Sequence, residues 1–279
     1  MSSSSQSLVE QSKRRAAFAA VDKHVDSNVR VLGIGSGSTV VYATERLVEL
    51  KRQNKLHPRL LCVPTSFQSK QLIIEAGLTA VDLDDLPELD PGSDSFASVN
   101  VTIDGADEVD SDLNAIKGGG GAHLREKLVA NASRKLVLIA DYRKDSTTLG
   151  EKWHKGIPVE VSPLGWRTVK RQLERMGPEL SPKTEPAFEF AHPVAELRQA
   201  VRKAGPVVTD NGNFILDVSV GRIYRAPAVE RLIKMIPGVI EVGIFCGLAS
   251  EAWFGNEDGS IACRVSPSQP QSQSTASDQ

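Results

Sequence analysis

The chain has almost no net charge: thirty-three basic residues face thirty-five acidic ones in 279, a balance of −2. That removes any global electrostatic pull toward nucleic acid or an anionic membrane, so neither is expected as a partner. An anionic small ligand must instead be held by local groups. Cysteine is scarce. Cys62, Cys246 and Cys263 are odd in number, far apart and without paired metal-ligand spacing. No disulfide framework follows from them. Cys62 and Cys246 lie in apolar, strand-like runs and read as buried core thiols, which points to a reducing compartment. No apolar run approaches the roughly 20 residues that cross a bilayer. The serine-rich start, MSSSSQSLVEQSKRR, lacks the apolar segment of a secretory signal. Glu10 and the early onset of the first helix argue against a transit peptide, and a cytoplasmic location is expected. The five histidines, His24, His57, His123, His154 and His192, share no spacing.

What is present is an ordinary globular composition, 40% hydrophobic and 24% charged, on a chain long enough for two lobes. Residues 8–26 read as a helix. Short β-branched runs then alternate with helical patterns: Val29–Ile34, a helix to Gln53, Leu60–Val63, a helix over Ser66–Ala76, Val81–Leu83, Val99–Ile103 and the Glu126 helix. The run KLVLIA at 135–140 suits a strand buried on both faces. The expected class is α/β, a doubly wound, mostly parallel sheet with an inserted smaller α+β lobe. Residues 1–156 are expected to form a Rossmann-like catalytic domain, 157–238 the lobe, 239–265 the return and 266–279 a disordered tail. Within the lobe, Val159–Val161 reads as a strand, Trp166–Met176 and Ala228–Met235 as helices, and Val194–Ala204 as helix or strand. Asn211-Gly212 between Val207–Asp210 and Phe214–Val218 signals a hairpin, and Val239–Phe245 is an apolar strand. Gly177–Pro186 is proline-rich and irregular.

In parallel sheets ligands gather at the carboxyl ends of strands. Gly35–Thr39, Asp104–Asp107 and Asp141–Lys144 all follow strands there and are joined into one expected site. The turn GIGSGST lacks the glycine spacing and the ribose-binding acid of a dinucleotide fingerprint, and no Gly-Lys-Ser/Thr makes it a nucleotide P-loop. It reads either as a phosphate cradle at a helix N-terminus, through Ser36, Gly37, Ser38 and Thr39, or as a capped turn without ligand. In TIDGADEVD, Asp104 and Asp107 beside Gly105 and Ala106 fit turn chemistry, catalysis or metal ligation. No nearby histidine supports a metal, and Lys117 is a competing cation. Lys117 stands before Gly118, Gly119, Gly120 and Gly121, a run whose entropic cost implies a backbone that must approach something. Glu126, nine residues after Lys117, is a candidate base or a solvated helix residue. His123 is kept as an acid/base candidate because it adjoins the glycines.

Taken together, GIGSGST, TIDGADEVD, IKGGGG with REK, ADYRKDS, KWHKGIPVEV and VVTDNGNFILD closely resemble type A ribose-5-phosphate isomerase in its eukaryotic form, from about Lys13 to about Gly259. The resemblance implies interconversion of D-ribose 5-phosphate and D-ribulose 5-phosphate without metal or organic cofactor, by a homodimer or homotetramer. It implies that Glu126 is the general base and that Asp104 and Asp107 contact sugar hydroxyls and assist proton transfer. Lys117 then lies near the developing oxyanion, Gly118–Gly120 line the site, and Ser36–Thr39 hold the substrate. Lys144 matches a substrate-contacting lysine, and Lys13 a basic phosphate contact on the first helix. Near Asp104 and Asp107, Glu126 is expected to have a raised pKa. The alternative from another class is a non-catalytic sugar-phosphate sensor on the same fold, which needs the phosphate cradle but no base.

Overall fold

In a computed structural model that describes residues 3–89, 97–177, 186–190 and 192–266, strands and helices alternate through the first half of the chain. Helix α1 (Ser3–His24) leads to β1 (Val31–Ile34), α2 (Ser38–Arg52), β2 (Leu61–Pro64), α3 (Phe67–Glu75) and the two-residue β3 (Thr79–Ala80). Then come β4 (Val101–Gly105), β5 (Glu108–Val109), β6 (Ala115–Ile116), α4 (His123–Asn131) and β7 (Leu136–Asp141). The second half holds β8 (Ile157–Val161), α5 (Trp166–Glu174), β9 (Val194–Leu197), β10 (Phe214–Ser219) and α6 (Ala226–Lys234). It closes with β11 (Val239–Val242), β12 (Ile244–Phe245), β13 (Ala249–Gly255) and β14 (Ile261–Val265). Among the described residues no helix is long and apolar enough to cross a membrane.

The large sheet has the order β14-β13-β7-β4-β1-β2-β3, parallel except where β14 runs antiparallel to β13. All six residues of β7 are buried, because α1 and α2 cover one face and Val109 of β5, Ala115 of β6, Phe245 of β12 and Ala130 of α4 pack on the other. Ala16, Ala17, Ala20 and Val21 are the small buried residues that let α1 lie close against this sheet. Chain order reverses at β1, with β2 on one side and β4 on the other. Such a switch point opens a crevice beyond the strand ends. Register places Ile34 opposite Ile103, and Gly35 N donates to Ile103 O at 2.9 Å, which sets the β1–α2 turn beside Asp104.

A four-stranded sheet, β11-β8-β10-β9, forms the second layer system, backed by α5 and α6 on a core of Val159, Val161, Leu173, Leu216 and Ile233. The small sheet β12-β6-β5 carries the chain from the Asp104 loop to Lys117.

Several expected elements shift. The strand expected at 81–83 is instead β3 at Thr79–Ala80, and Leu83–Asp85 closes into a 3-10 turn. Between the open choices for 194–204, a strand over Val194–Leu197 is observed. Val207–Asp210 is not a strand partner of β10: Thr209 N bonds Asn213 O across the turn, while β10 pairs with β9 and β8. The single strand expected at 239–245 breaks at Gly243, whose N–H goes to Pro158 O while its own neighbours join different sheets. Consequently β11 belongs to the four-stranded sheet, and the large sheet is regained at Ala249 rather than at 239. The expected tail from 267 onward, and 178–185 of the proline-rich stretch, lie outside the described residues.

Candidate active site

The carboxyl ends of β1, β4 and β7, the glycine loop before α4 and the 207–210 loop of the second half surround one cleft of about 350 Å³. Its floor is an ion triad. Lys117 Nζ lies 2.9 Å from Asp104 Oδ2 and 3.3 Å from Glu126 Oε2, and donates to Gly105 O at 2.5 Å. The Lys117 side chain is 2% exposed and that of Asp104 0%. Asp104 Oδ1 accepts from Ser36 N at 3.0 Å and Gly105 N at 2.7 Å, so both of its oxygens are engaged beneath the surface.

One ammonium faces two carboxylates, so one negative charge is left over in a dry place. Burial is the main cause that pushes Glu126 up to about 8, the Asp104 charge adds to it, and Lys117 opposes. Neighbouring carboxylates, expected to raise this pKa, are therefore the second cause. Burial alone would depress Lys117, but Asp104 and Glu126 outweigh it and raise its pKa. Glu126 Oε2 is buried and turned to the Lys117 ammonium. The site thus holds a buried carboxyl at the cleft wall beside a fixed cation.

Above this floor the glycine loop folds back. Gly118 has φ +98°, and a Cβ there would sit 2.5 Å from His123 Nδ1, so only glycine fits. Asp107 Oδ2 accepts from Gly119 N at 2.6 Å. His123 itself is fully buried behind the loop, outside the cleft lining; burial and the charges of Arg198 and Lys127 push it down to about 3. It is neutral and screened, which removes it as an acid/base candidate.

At the other end, Gly37 (φ +95°) precedes α2, and no side chain caps the helix's first turn. The exposed N–H groups there suit an anion. Lys13 Nζ reaches Ser38 Oγ at 3.0 Å, and Arg143 and Lys144 line the same cleft. Gly37 N is met by Gln68 Oε1 at 2.9 Å, and Ser36 Oγ by Thr65 and Ser66 hydroxyls at 2.8 and 2.7 Å.

Of the residues singled out in the sequence, Lys13, Ser36, Gly37, Ser38, Thr39, Gly105, Ala106, Asp107, Lys117, Gly118, Gly120, Glu126 and Lys144 all line this cleft. Gly119 sits at its rim on Asp107, and Asp104 lies below it, holding Lys117 rather than facing the opening. The loop Asp141–Lys144 was placed in the site, though without a role for Asp141 or Arg143, and sequence reasoning missed Ser66, Gln68 and the 207–210 loop. Ser66 follows a strand end and was findable by the rule that found Lys144. The 207–210 loop comes from the second half, and no local pattern ties it to the site.

The model for "Ribose 5-phosphate isomerase A (phosphoriboisomerase A)" matches residues 61–259. The chain is 48% identical to the Homo sapiens ribose-5-phosphate isomerase over 264 residues, 95% of this chain and 76% of that protein. It is 49% identical to the Dictyostelium discoideum protein of the same name, over 91% of this chain and 96% of that one. A D-ribose-5-phosphate isomerase solved with phospho-erythronic acid superposes with a TM-score of 0.77 at 34% identity, covering 92% of this chain and 99% of the other. The Methanocaldococcus jannaschii ribose 5-phosphate isomerase A gives 0.75 at 35%, covering 91% and 97%. A family model over more than half of the chain and relatives this similar over nine-tenths of it leave one conclusion: the chain belongs to the ribose 5-phosphate isomerase A family.

Proposed function

We propose that the cleft interconverts D-ribose 5-phosphate and D-ribulose 5-phosphate in the non-oxidative pentose phosphate pathway, with Glu126 as the base. The observation that carries this is the Glu126 carboxyl, raised in basicity by burial and lining the cleft 3.3 Å from a buried ammonium. In the open-chain aldose, Glu126 takes the proton from C2. The C2–H electron pair forms the C1=C2 double bond, and the C1 carbonyl oxygen becomes an oxyanion. The same carboxyl returns the proton to C1, and the hydroxyl proton passes from O2 to O1, giving the ketose. A base with a pKa near the working pH serves both capture and return.

Lys117 stabilises the oxyanion in a water-poor site. Asp104 is a positioning residue, since it fixes Lys117 from below. Asp107, at the cleft surface, is placed to handle hydroxyl protons during ring opening. The phosphate sits at the α2 N-terminus with Ser38, Thr39 and Lys13, and Lys144 and Arg143 add positive charge. A sensor would need this anion end alone; a buried carboxylate–ammonium–carboxylate triad costs stability without helping it. Assembly as a homodimer or homotetramer and a cytoplasmic setting complete the proposal; the three unpaired cysteines suit a reducing compartment.

The test is ribulose 5-phosphate formation by the purified protein in chelator, beside Glu126→Ala. Turnover that collapses in the variant is expected. Binding of ribose 5-phosphate without turnover by the unaltered protein would refute the enzyme reading in favour of the sensor.

A further inference from the structure

Four consecutive glycines have no side chains to anchor them; beyond one internal turn bond, Gly121 N to Gly118 O at 2.9 Å, the shape of the loop is imposed from outside. One anchor is Asp107, on the N–H of Gly119. The other comes from the second half of the chain. Arg198, immediately after β9, donates from Nη1 to Gly118 O at 2.9 Å and to Gly119 O at 3.2 Å. Its guanidinium is held in turn by Asp217 of β10, through Nε at 2.8 Å and Nη2 at 2.5 Å. The backbone of Arg198 is paired on both sides, its N–H to Ile215 O and its carbonyl to Val207 N, each at 2.9 Å. The side chain is only 16% exposed. This is a rigid, two-sided fork rather than a surface ion pair.

The consequence lies on the far side of the loop. In a planar trans peptide the C=O and N–H point in opposite directions. With the Gly118 carbonyl on Arg198, the N–H of Gly119 is turned to Asp107, as observed. With the Gly119 carbonyl also on Arg198, the N–H of Gly120 is turned away from the guanidinium. That N–H has no partner among the described residues. Gly120 lines the cleft, and the position of a Cβ there is open, with nothing within 4 Å. An unpaired donor is therefore set in place before substrate arrives.

We infer that Arg198, with Asp217, is a positioning residue for isomerisation: it locks the Gly119–Gly120 peptide so that the Gly120 N–H presents a fixed donor to the oxygen that becomes negative during proton transfer. The inference rests on the isomerase reading above. It couples the four-stranded sheet to chemistry at the end of the large one. Preset donors aimed at developing charge act on the transition state and leave substrate binding little changed.

The experiment compares kcat, KM and the affinity of phospho-erythronic acid in Arg198→Ala, Arg198→Lys, Asp217→Asn and Glu126→Gln. The carboxylate of that acid, at the end remote from the phosphate, stands for the negatively charged oxygens of the enediolate. For Arg198→Ala, kcat is expected to fall about a hundredfold, the usual size of a misplaced or lost donor. KM for ribose 5-phosphate should stay within about threefold, because the phosphate end is untouched. Affinity for phospho-erythronic acid should fall with kcat, and added guanidinium ion or Arg198→Lys should restore part of the rate. If Arg198→Ala does not fold, Asp217→Asn decides. There the fork loses half its hold, and a fall in kcat of fivefold or more, on the order of a partial misplacement, supports the inference. A kcat within twofold of the unaltered protein, in Arg198→Ala or in a folded Asp217→Asn, overturns it. So does a rate loss that appears wholly in KM. Glu126→Gln separates the two readings: inactive there with active Arg198→Ala sinks only this inference, whereas an active Glu126→Gln sinks the base assignment itself.

Discussion

Replacing Glu126 by Gln should abolish turnover and yet strengthen the fold, and the second effect should depend on pH. The folded protein keeps the Glu126 proton up to about 8, whereas an ordinary glutamate releases it near 4.5. Below pH 4.5 both states carry the proton and the group contributes nothing to the pH dependence. Between 4.5 and 8 the unfolded chain binds fewer protons than the folded one, so stability falls as pH rises. Glutamine matches the protonated form and cannot ionise. An isolated carboxyl shifted this far would weaken the fold by about 3 kcal/mol at pH 7, at about 1.4 kcal/mol per unit. The attraction to Lys117 is already contained in the value of about 8, so nothing further is subtracted for it. The expected gain of the variant is therefore about 3 kcal/mol at pH 7, near zero at pH 4.5 and largest at pH 8 and above. Urea unfolding of both proteins at pH 4.5, 6 and 8 measures it, with turnover expected to drop by about a thousandfold or more. A variant no more stable at pH 8 than at pH 4.5, relative to the unaltered protein, would show that burial does not hold this proton.

Three further outcomes follow from the same geometry. Lys117→Met leaves Asp104 buried without its cation; it should cost about 3 kcal/mol of stability and at least a hundredfold in kcat, and move the acidic limb of the rate profile to higher pH, because Lys117 opposes the rise at Glu126. Lys13→Ala removes a cation that reaches Ser38 Oγ at 3.0 Å. Steady-state kinetics should show KM raised about tenfold or more with kcat little changed, the mark of lost phosphate binding. Gly118→Ala forces a side chain into a φ of +98° and to within 2.5 Å of His123 Nδ1; thermal unfolding should show a loss of about 1–3 kcal/mol, with kcat falling as the loop shifts.

Local chemistry made much of the first half legible in the chain. Alternating β-branched runs and helical patterns announce a parallel, covered sheet, since only a strand dry on both faces accepts a run such as that of β7. Glycines at positive φ and carboxylates just after strands mark the crevice, because those positions have meaning within a few residues of backbone. The site residues named from the sequence accordingly fall together in the cleft, apart from Asp104 beneath it and Gly119 at its rim. The second half was read less well. Whether Val239–Phe245 is one strand or two depends on Gly243 meeting Pro158, some eighty residues earlier in the chain, and no periodicity within the segment encodes that contact. Charge state was hidden for the same reason. His123 and Glu126 stand three residues apart in one helix, yet burial leaves one a neutral bystander near pKa 3 and raises the other to about 8.

The sequence by itself determined the α/β class, the strand-end loops and the residue types available for moving a proton on a phosphorylated sugar. Only the tertiary structure decided that Lys117 lies between Asp104 and Glu126, that Asp104 faces inward, and that Arg198 from the second half grips the glycine loop. Those outcomes depend on desolvation and on contacts between distant segments, and both arise only once the chain has closed around them.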